Sequence, residues 1–371
     1  MVRIVSAVIL SCLFAACSEK QPPEPPEPQP PDTTSHDWEF TMYEVGGMNT
    51  TFKDVCALSP DYAIAVGKIE EDFTWPDVNA YLWNGSSVDA ISLPISPHDT
   101  VTIDPQNNER TRYGWGSLAA IWAFRRDNLW YTTIAGAIAH MTIKGVDTSV
   151  RQETYQTIGD DIGYSTERIW AFDTSTIFFG GSNGRAALYW RSVWEYIPVT
   201  TTGDAANVRD LFGTGPENLF ATLYDAIHRG YGSYRYDGVK WTPFWLEGYP
   251  SLSNVKEFGL PNCYWGDPSD DSIWIAGLWL GRMPKDGKGS VRFVAADITV
   301  LRIRGSARNN VFFCGYNGCI LHFNGATLKR FRTFEGMRIT LNAIACLKDD
   351  VFIVGDRYFG GGIIIHGRRI R

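Results

Sequence analysis

The chain has 371 residues, 44% of them hydrophobic and 14% aromatic, and a formal net charge of −7. That apolar content is ample for a large packed core, and a diffuse acidic balance without any Lys/Arg block excludes the basic footprint of a nucleic-acid binder. After the first 16 residues no run is apolar for long enough to span a bilayer.

The N-terminus reads as an address. Residues 1–16 carry one basic residue, Arg3, and then the apolar run IVSAVILSCLFAA, the layout of a secretory signal ending in small residues. Cleavage there leaves Cys17 first. The stretch FAAC resembles the lipobox of bacterial lipoproteins, with Phe14 where Leu is commonest, and the resemblance implies acylation of Cys17. Cys12 is the poorer alternative, because bulky Leu10 stands two residues before it. Residues 17–36 follow as a Pro- and Glu-rich tether, with no aliphatic side chain to bury between Ser18 and Ser35. Such a segment stays extended, rising about 3.1 Å per residue. The expected place is the outer membrane or cell surface, or a periplasm-facing leaflet, with the lipid as the only membrane contact.

The remaining residues, 37–371, carry a repeat. Aligned on the pattern D/N-V-W/F-x-x-G, which NVFFCG from Asn310 and DVFIVG from Asp350 fit in full, the chain shows five further copies: YAIAVG from Tyr62, NLWYTT from Asn128, TIFFGG from Thr176, NLFATL from Asn218 and SIWIAG from Ser272. Measured at Ala63, Leu129, Ile177, Leu219, Ile273, Val311 and Val351, the spacings are 66, 48, 42, 54, 38 and 40 residues. The shorter ones match the period of four-stranded propeller blades, about 40–45 residues. In each copy a first strand, carrying Trp122, Trp170, Phe212 and nearly Trp265 in register in four of them and Cys56 or Ile344 as substitutes in two others, precedes a turn rich in Asp, Asn, Ser and Pro. The apolar anchor strand comes next, then a third strand and a fourth such as LKRFRTF. No helical period persists over more than a few residues. The predicted class is therefore all-β, a seven-bladed β-propeller. The seventh copy lacks a fourth strand, and WEFTMYEV (Trp38 to Val45) has no repeat of its own, so it is expected to close the ring by pairing into the last blade.

These repeats resemble those of exported bacterial propeller lipoproteins built from D-V-W-A-V-G and G-x-I-L-H-Y-D-G units. The resemblance spans nearly the whole mature chain. It implies fold and location, and no catalytic residue comes with it.

His140, His322 and His366 share one repeat position, where Leu82, Leu188 and Arg235 stand in other copies. A residue exchangeable with Leu is expected to pack, and histidines in separate blades cannot share a metal, so no metal site and no cofactor is expected. Cys314 and Cys319 flank GYNG in one hairpin. A turn with Tyr316 and Asn317 at its centre would set them opposite each other, whereas the favoured Asn-Gly turn at Asn317 and Gly318 would put Cys314 opposite Leu321, which leaves a disulfide open. There is no G-x-S-x-G, no H-E-x-x-H and no P-loop.

The best functional pointer is unevenness among the repeats. Four enlarged segments, 68–79, 95–117, 224–232 and 246–262, are second-to-third-strand loops or blade-to-blade connections. In an up-and-down blade both kinds fall on one face. They mix aromatic and polar residues: Trp75, Asp77, Arg112, Tyr113, Trp115, Asp225, His228, Tyr231 and Tyr249. The expected function is a non-catalytic binding or assembly module for a protein or glycan ligand. A carbohydrate-active hydrolase or lyase using carboxylates of that face, and a purely structural envelope component, are the alternatives.

Overall fold

The computed structural model describes residues 32–70, 78–94, 101–103, 110–112, 116–134, 136–144, 147–153, 166–200, 206–225, 230–243, 262–286, 292–295 and 299–370; for 101–112, 143–153, 206, 225–231, 292–293 and 295 only the backbone is considered. These residues form seven four-stranded antiparallel sheets and one two-stranded hairpin, with no α-helix among them.

Strand β1 (Trp38–Val45) leads into blade 1, made of β2 (Thr51–Ser59), β3 (Tyr62–Lys68), β4 (Ala80–Trp83) and β5 (Val88–Ile91). The hairpin β6 (Val101–Ile103) and β7 (Arg110–Arg112) lies in the connection to blade 2, which comprises β8 (Leu118–Arg125), β9 (Asn128–Thr133), β10 (Ile138–Lys144) and β11 (Asp147–Glu153). Blade 3 is β12 (Thr166–Asp173), β13 (Thr176–Gly181), β14 (Ala186–Trp190) and β15 (Val193–Tyr196). Blade 4 is β16 (Ala206–Gly215), β17 (Asn218–Asp225), β18 (Gly230–Tyr236) and β19 (Trp241–Pro243). Blade 5 is β20 (Cys263–Trp265), β21 (Ser272–Ala276), β22 (Leu280–Pro284) and β23 (Arg292–Ala295). Blade 6 is β24 (Val300–Ala307), β25 (Asn310–Gly315), β26 (Ile320–Phe323) and β27 (Leu328–Phe331). Blade 7 takes β28 (Ile339–Cys346), β29 (Asp350–Arg357) and β30 (Gly362–Arg369) from the C-terminus. Its order is β1-β30-β29-β28, so the N-terminal strand supplies the outer edge. Eight residue pairs make the closure, from Trp38 opposite Arg369 to Val45 opposite Gly362.

The second strand of each blade explains why the sheets stand in a ring. In β25 every residue is buried. Val311 and Phe313 pack with blades 4 and 5, whereas Phe312 and Cys314 pack with blade 7. A strand apolar on both faces needs a neighbour on each side, and alternation of side chains along it feeds two seams at once. Hydrophobic clusters occupy every seam: blades 1 and 2, 2 and 3, 3 and 4, 4 through 6, 6 and 7, and 7 and 1. The glycine that ends several anchor strands follows from the same crowding. A Cβ on Gly67, Gly315 or Gly355 would collide with the backbone carbonyl of Thr51, Thr299 or Thr340, just before or at the start of the blade's first strand.

Trp38 pins the closure. It is buried, 4.8 Å from the Phe312 ring and under the Arg369 guanidinium, so it joins blade 6 to blade 7. Residues before it are docked as well. Thr34 exchanges hydrogen bonds with Asn324 (Thr34 N to Asn324 O, 2.9 Å; Asn324 Nδ2 to Thr34 O, 2.9 Å), and Lys329 Nζ donates to the His36 carbonyl. The stretch 32–36, part of the tether by sequence, thus rests on blade 6. Trp38→Ala is expected to cost about 3–5 kcal/mol, the usual range for truncating a buried aromatic; urea unfolding measures it, and a loss near zero would mean that β1 does not hold the ring.

Candidate functional site

The first strands of the blades line the axis of the ring. Their pairing with the second strands slips by one residue at the same place in six blades: between Phe52 and Asp54, Leu118 and Ala120, Thr166 and Arg168, Val208 and Asp210, Val300 and Arg302, and Leu341 and Ala343. A bulge frees one residue from the ladder and turns its side chain. The freed residues are Lys53, Ala119, Glu167, Arg209, Leu301 and Asn342, and every one lines a cavity of about 530 Å³. Asn262, next to the short β20, supplies the seventh place. The ring symmetry has built one lining position per blade.

The cavity opens where the second-to-third-strand loops and the blade connections lie. Its mouth is formed by Ile134, Leu278 and Tyr316 from such loops and by Thr299 from a connection. All three apolar mouth residues are exposed, Tyr316 to 44%. Strand direction puts the stems of the four enlarged segments at this same end. Around it stand Met48, Met337, Tyr358 and Phe359, the last 89% exposed and left-handed at φ 57°. A non-glycine residue in that region carries backbone strain, and such residues cluster where a surface is used.

Charge is concentrated at the cavity floor. Lys53, Arg168, Arg209 and Arg302 face a single lining carboxylate, Glu167, among the described residues. Behind them, fully buried Asp210 from blade 4 takes an ion pair from Arg302 and a second from Arg304 at 3.0 Å, both from blade 6. Its other oxygen accepts the Tyr264 backbone N–H of blade 5 at 3.1 Å. Cys263, at the corresponding place of the intervening blade, is small enough to let the two partners meet. Burial would raise the Asp210 carboxyl, but Arg304 and Arg302 outweigh it and hold it below the usual carboxylate range. Arg168 has no such partner among the described residues: its Nε donates to the Arg209 carbonyl and its Nη1 to that of Glu167. Burial, and then repulsion from Arg302, pushes its guanidinium down to about 10. Lys53 is lowered by burial and then by Arg168.

Of the sequence-derived site residues, the side chains of Trp75, Asp77, Arg112, Tyr113, Trp115, Asp225, His228, Tyr231 and Tyr249 lie outside the described residues, as does Cys17. The cavity ring went unrecognised in the sequence. Its signal was polar residues recurring three places before the aromatic of an apolar first strand, as in Glu167 before Trp170 and Arg209 before Phe212.

The histidines serve the repeat. His140, His322 and His366 stack on Trp130, Phe312 and Phe352 at centroid distances of 4.1, 4.5 and 4.6 Å. Their Nε2 atoms reach Asn128, Asn310 and Asp350, the first residues of the anchor strands, at 3.0, 3.0 and 2.8 Å. Arg235 makes the same link to Asn218 at 2.8 Å. Each ties the second strand to the third inside one blade. Of the two alternatives left open for Cys314 and Cys319, the structure has free thiols. Tyr316, Asn317 and Gly318 form a three-residue connection that pairs Cys314 with Ile320, and the two cysteines fall in seams on opposite faces of blade 6.

No protein-family model and no curated protein sequence matches the chain. Solved structures do. YCF48 bound to D1 peptide aligns with a TM-score of 0.60 at 15% identity, covering 92% of this chain and 99% of that one. YCF48 from Cyanidioschyzon merolae gives 0.59 at 12% over 89% and 98%, and the WD40 β-propeller domain of Doa1 gives 0.58 at 9% over 90% and 98%. At these identities the likeness is one of fold, a seven-bladed β-propeller.

Two outcomes test this chemistry. Asp210→Asn leaves Arg302 and Arg304 buried against a neutral amide and is expected to cost about 3–5 kcal/mol, whereas adding Arg302→Met recovers part of it; a double-mutant cycle by urea unfolding reads the coupling. The second concerns pH. Asn310 Nδ2 donates elsewhere, so its Oδ1 accepts from His322 Nε2–H, and the remaining His322 Nδ1 accepts from His36 Nδ1–H at 2.9 Å. Protonating His322 would set two N–H groups against each other. Burial first, then His36, holds this imidazole down to about 3, below its ordinary 6.5. The unfolded chain therefore binds the extra proton, and stability present above pH 6.5 is lost as pH falls from 6.5 toward 3. At pH 5 the loss from this group is about 2 kcal/mol. His322→Leu should reduce the drop in unfolding free energy between pH 7.5 and 5 by about that amount, and an unchanged drop would contradict the assignment.

Proposed function

We propose that this chain is a non-catalytic binding module that receives a protein segment at the cavity-bearing face of the propeller and is held outside the cytoplasm by a lipid on Cys17. The observation that carries the reading is one face uniting the cavity, an exposed apolar rim and the stems of all four enlarged segments. Monomeric surfaces rarely group apolar side chains around a concavity without a partner for them. One of the fold neighbours, YCF48 bound to D1 peptide, supports a protein ligand over a glycan. Glycoside hydrolysis takes a pair of carboxylates, and the described lining offers Glu167.

The anchor and the binding face fit together. Strand β1 begins at Trp38, opposite the last residues of β30, which is the end of blade 7 remote from the cavity mouth. Residues 32–36 rest there on the turns of Asn309 and Asn324. A chain anchored through that end would turn its mouth away from the bilayer.

Peptides selected from a random display library against residues 32–371 test the reading. Tyr316→Ala with Phe359→Ala is expected to weaken the selected binders at least ten-fold, while Trp190→Ala, on a turn of the opposite face, leaves them unchanged. Binders indifferent to the rim pair would remove the face from the proposal.

A further inference from the structure

The cavity floor gathers more cations than carboxylates: Lys53, Arg168, Arg209, Arg302 and Arg304 stand against Glu167 in the lining and Asp54, Asp210 and Asp356 close by. Asp210 neutralises Arg302 and Arg304 only in part, and the other cations, Lys53, Arg168 and Arg209, have no carboxylate within ion-pair distance among the described residues. Arg209 bonds through its backbone carbonyl and lays its guanidinium 5.2 Å over the Tyr224 ring, which leaves its N–H groups open to the cavity. Burial lowers Lys53 and Arg168 first, and repulsion adds to it, from Arg168 and Arg209 on Lys53 and from Arg302 on Arg168. Repulsion of this kind in a partly desolvated site is relieved by an anion.

We propose that the floor of the axial cavity is a carboxylate site, formed by Lys53, Arg168 and Arg209, that receives an acidic residue or the chain end of an extended peptide entering past Ile134, Leu278 and Tyr316. This rests on the reading of the face as a protein-binding surface and names the chemistry of the ligand. Arginine forks match a carboxylate bidentately, and the bulges at Lys53 and Arg209 hold both side chains toward one centre. The volume, about 530 Å³, lies in the range of sites that enclose a small ligand, so a chain segment rather than a folded domain fills it. A nucleic acid fits poorly: its backbone needs a continuous basic track, whereas here the cations are ringed by apolar residues on a chain of net charge −7. That same net charge makes adventitious binding of an acidic peptide elsewhere on the surface unfavourable.

The test uses residues 32–371 and two fluorescein-labelled probes, hexaglutamate and hexaglutamine, read by fluorescence anisotropy at low salt. Hexaglutamate is expected to bind at least ten-fold more tightly than hexaglutamine, and to weaken as salt is raised. Lys53→Glu with Arg209→Glu should abolish that preference; circular-dichroism melting checks the fold, and Arg209→Gln, which keeps the backbone carbonyl used by Arg168, should lower it at least three-fold if the double variant is unstable. Equal affinity for the two peptides, or a preference that survives charge reversal in a folded variant, overturns the proposal. Binding of inorganic phosphate without hexaglutamate overturns it in favour of a small-anion site. Loss of selected peptides on changing Tyr316 and Phe359, with no effect of Lys53 and Arg209, would sink the carboxylate site and leave the binding face standing.

Discussion

Everything in this molecule follows from a strand that cannot tolerate water on either side. β25, with Val311 and Phe313 facing one neighbour and Phe312 and Cys314 the other, has the apolar content of a core element and the length of a strand. A single sheet of such strands would leave a face exposed, and two stacked sheets would still leave two. Seven sheets in a closed ring leave none, provided that the first and last are joined. The Trp38–Val45 strand makes the join, and a segment without a repeat of its own therefore begins on a buried tryptophan.

Closing the ring brings seven first strands to one axis, where their backbones crowd. The bulge recurring in six of them converts this crowding into a lining, since each ejects one side chain from the ladder. The ejected residues are free of the packing rule that governs the rest of the blade, and so Lys53, Glu167, Arg209 and Asn342 can be polar in strands that are otherwise apolar. Asp210 with Arg302 and Arg304 shows the cost of carrying charge so near the core: the pair is held by cross-blade contacts that only the assembled ring provides. Residues 32–36 dock at the opposite end of the ring from the cavity mouth.

The blade count, the closing strand and the structural role of the histidines were legible because they are periodic or local. His140, His322 and His366 share a register with Leu82 and Leu188, and exchange with Leu already marked the position as packing. The Asn and Asp partners that hold those rings stand at the start of the neighbouring strand, within one hairpin. The Cys314 and Cys319 hairpin was less legible, because the three-residue turn Tyr316 to Gly318 gives Cys314 the partner Ile320, which neither two-residue turn would, and sends the two sulfurs to opposite seams.

What the amino-acid order determined alone was the repeat and its strand grammar, because alternation and turn chemistry act between residues close in the chain. Only the tertiary structure decided which polar side chains converge. Lys53, Arg168, Arg209 and Arg302 are separated by up to 249 positions in the sequence, and their neighbourhood exists solely because a closed ring superposes equivalent places of different blades about one axis.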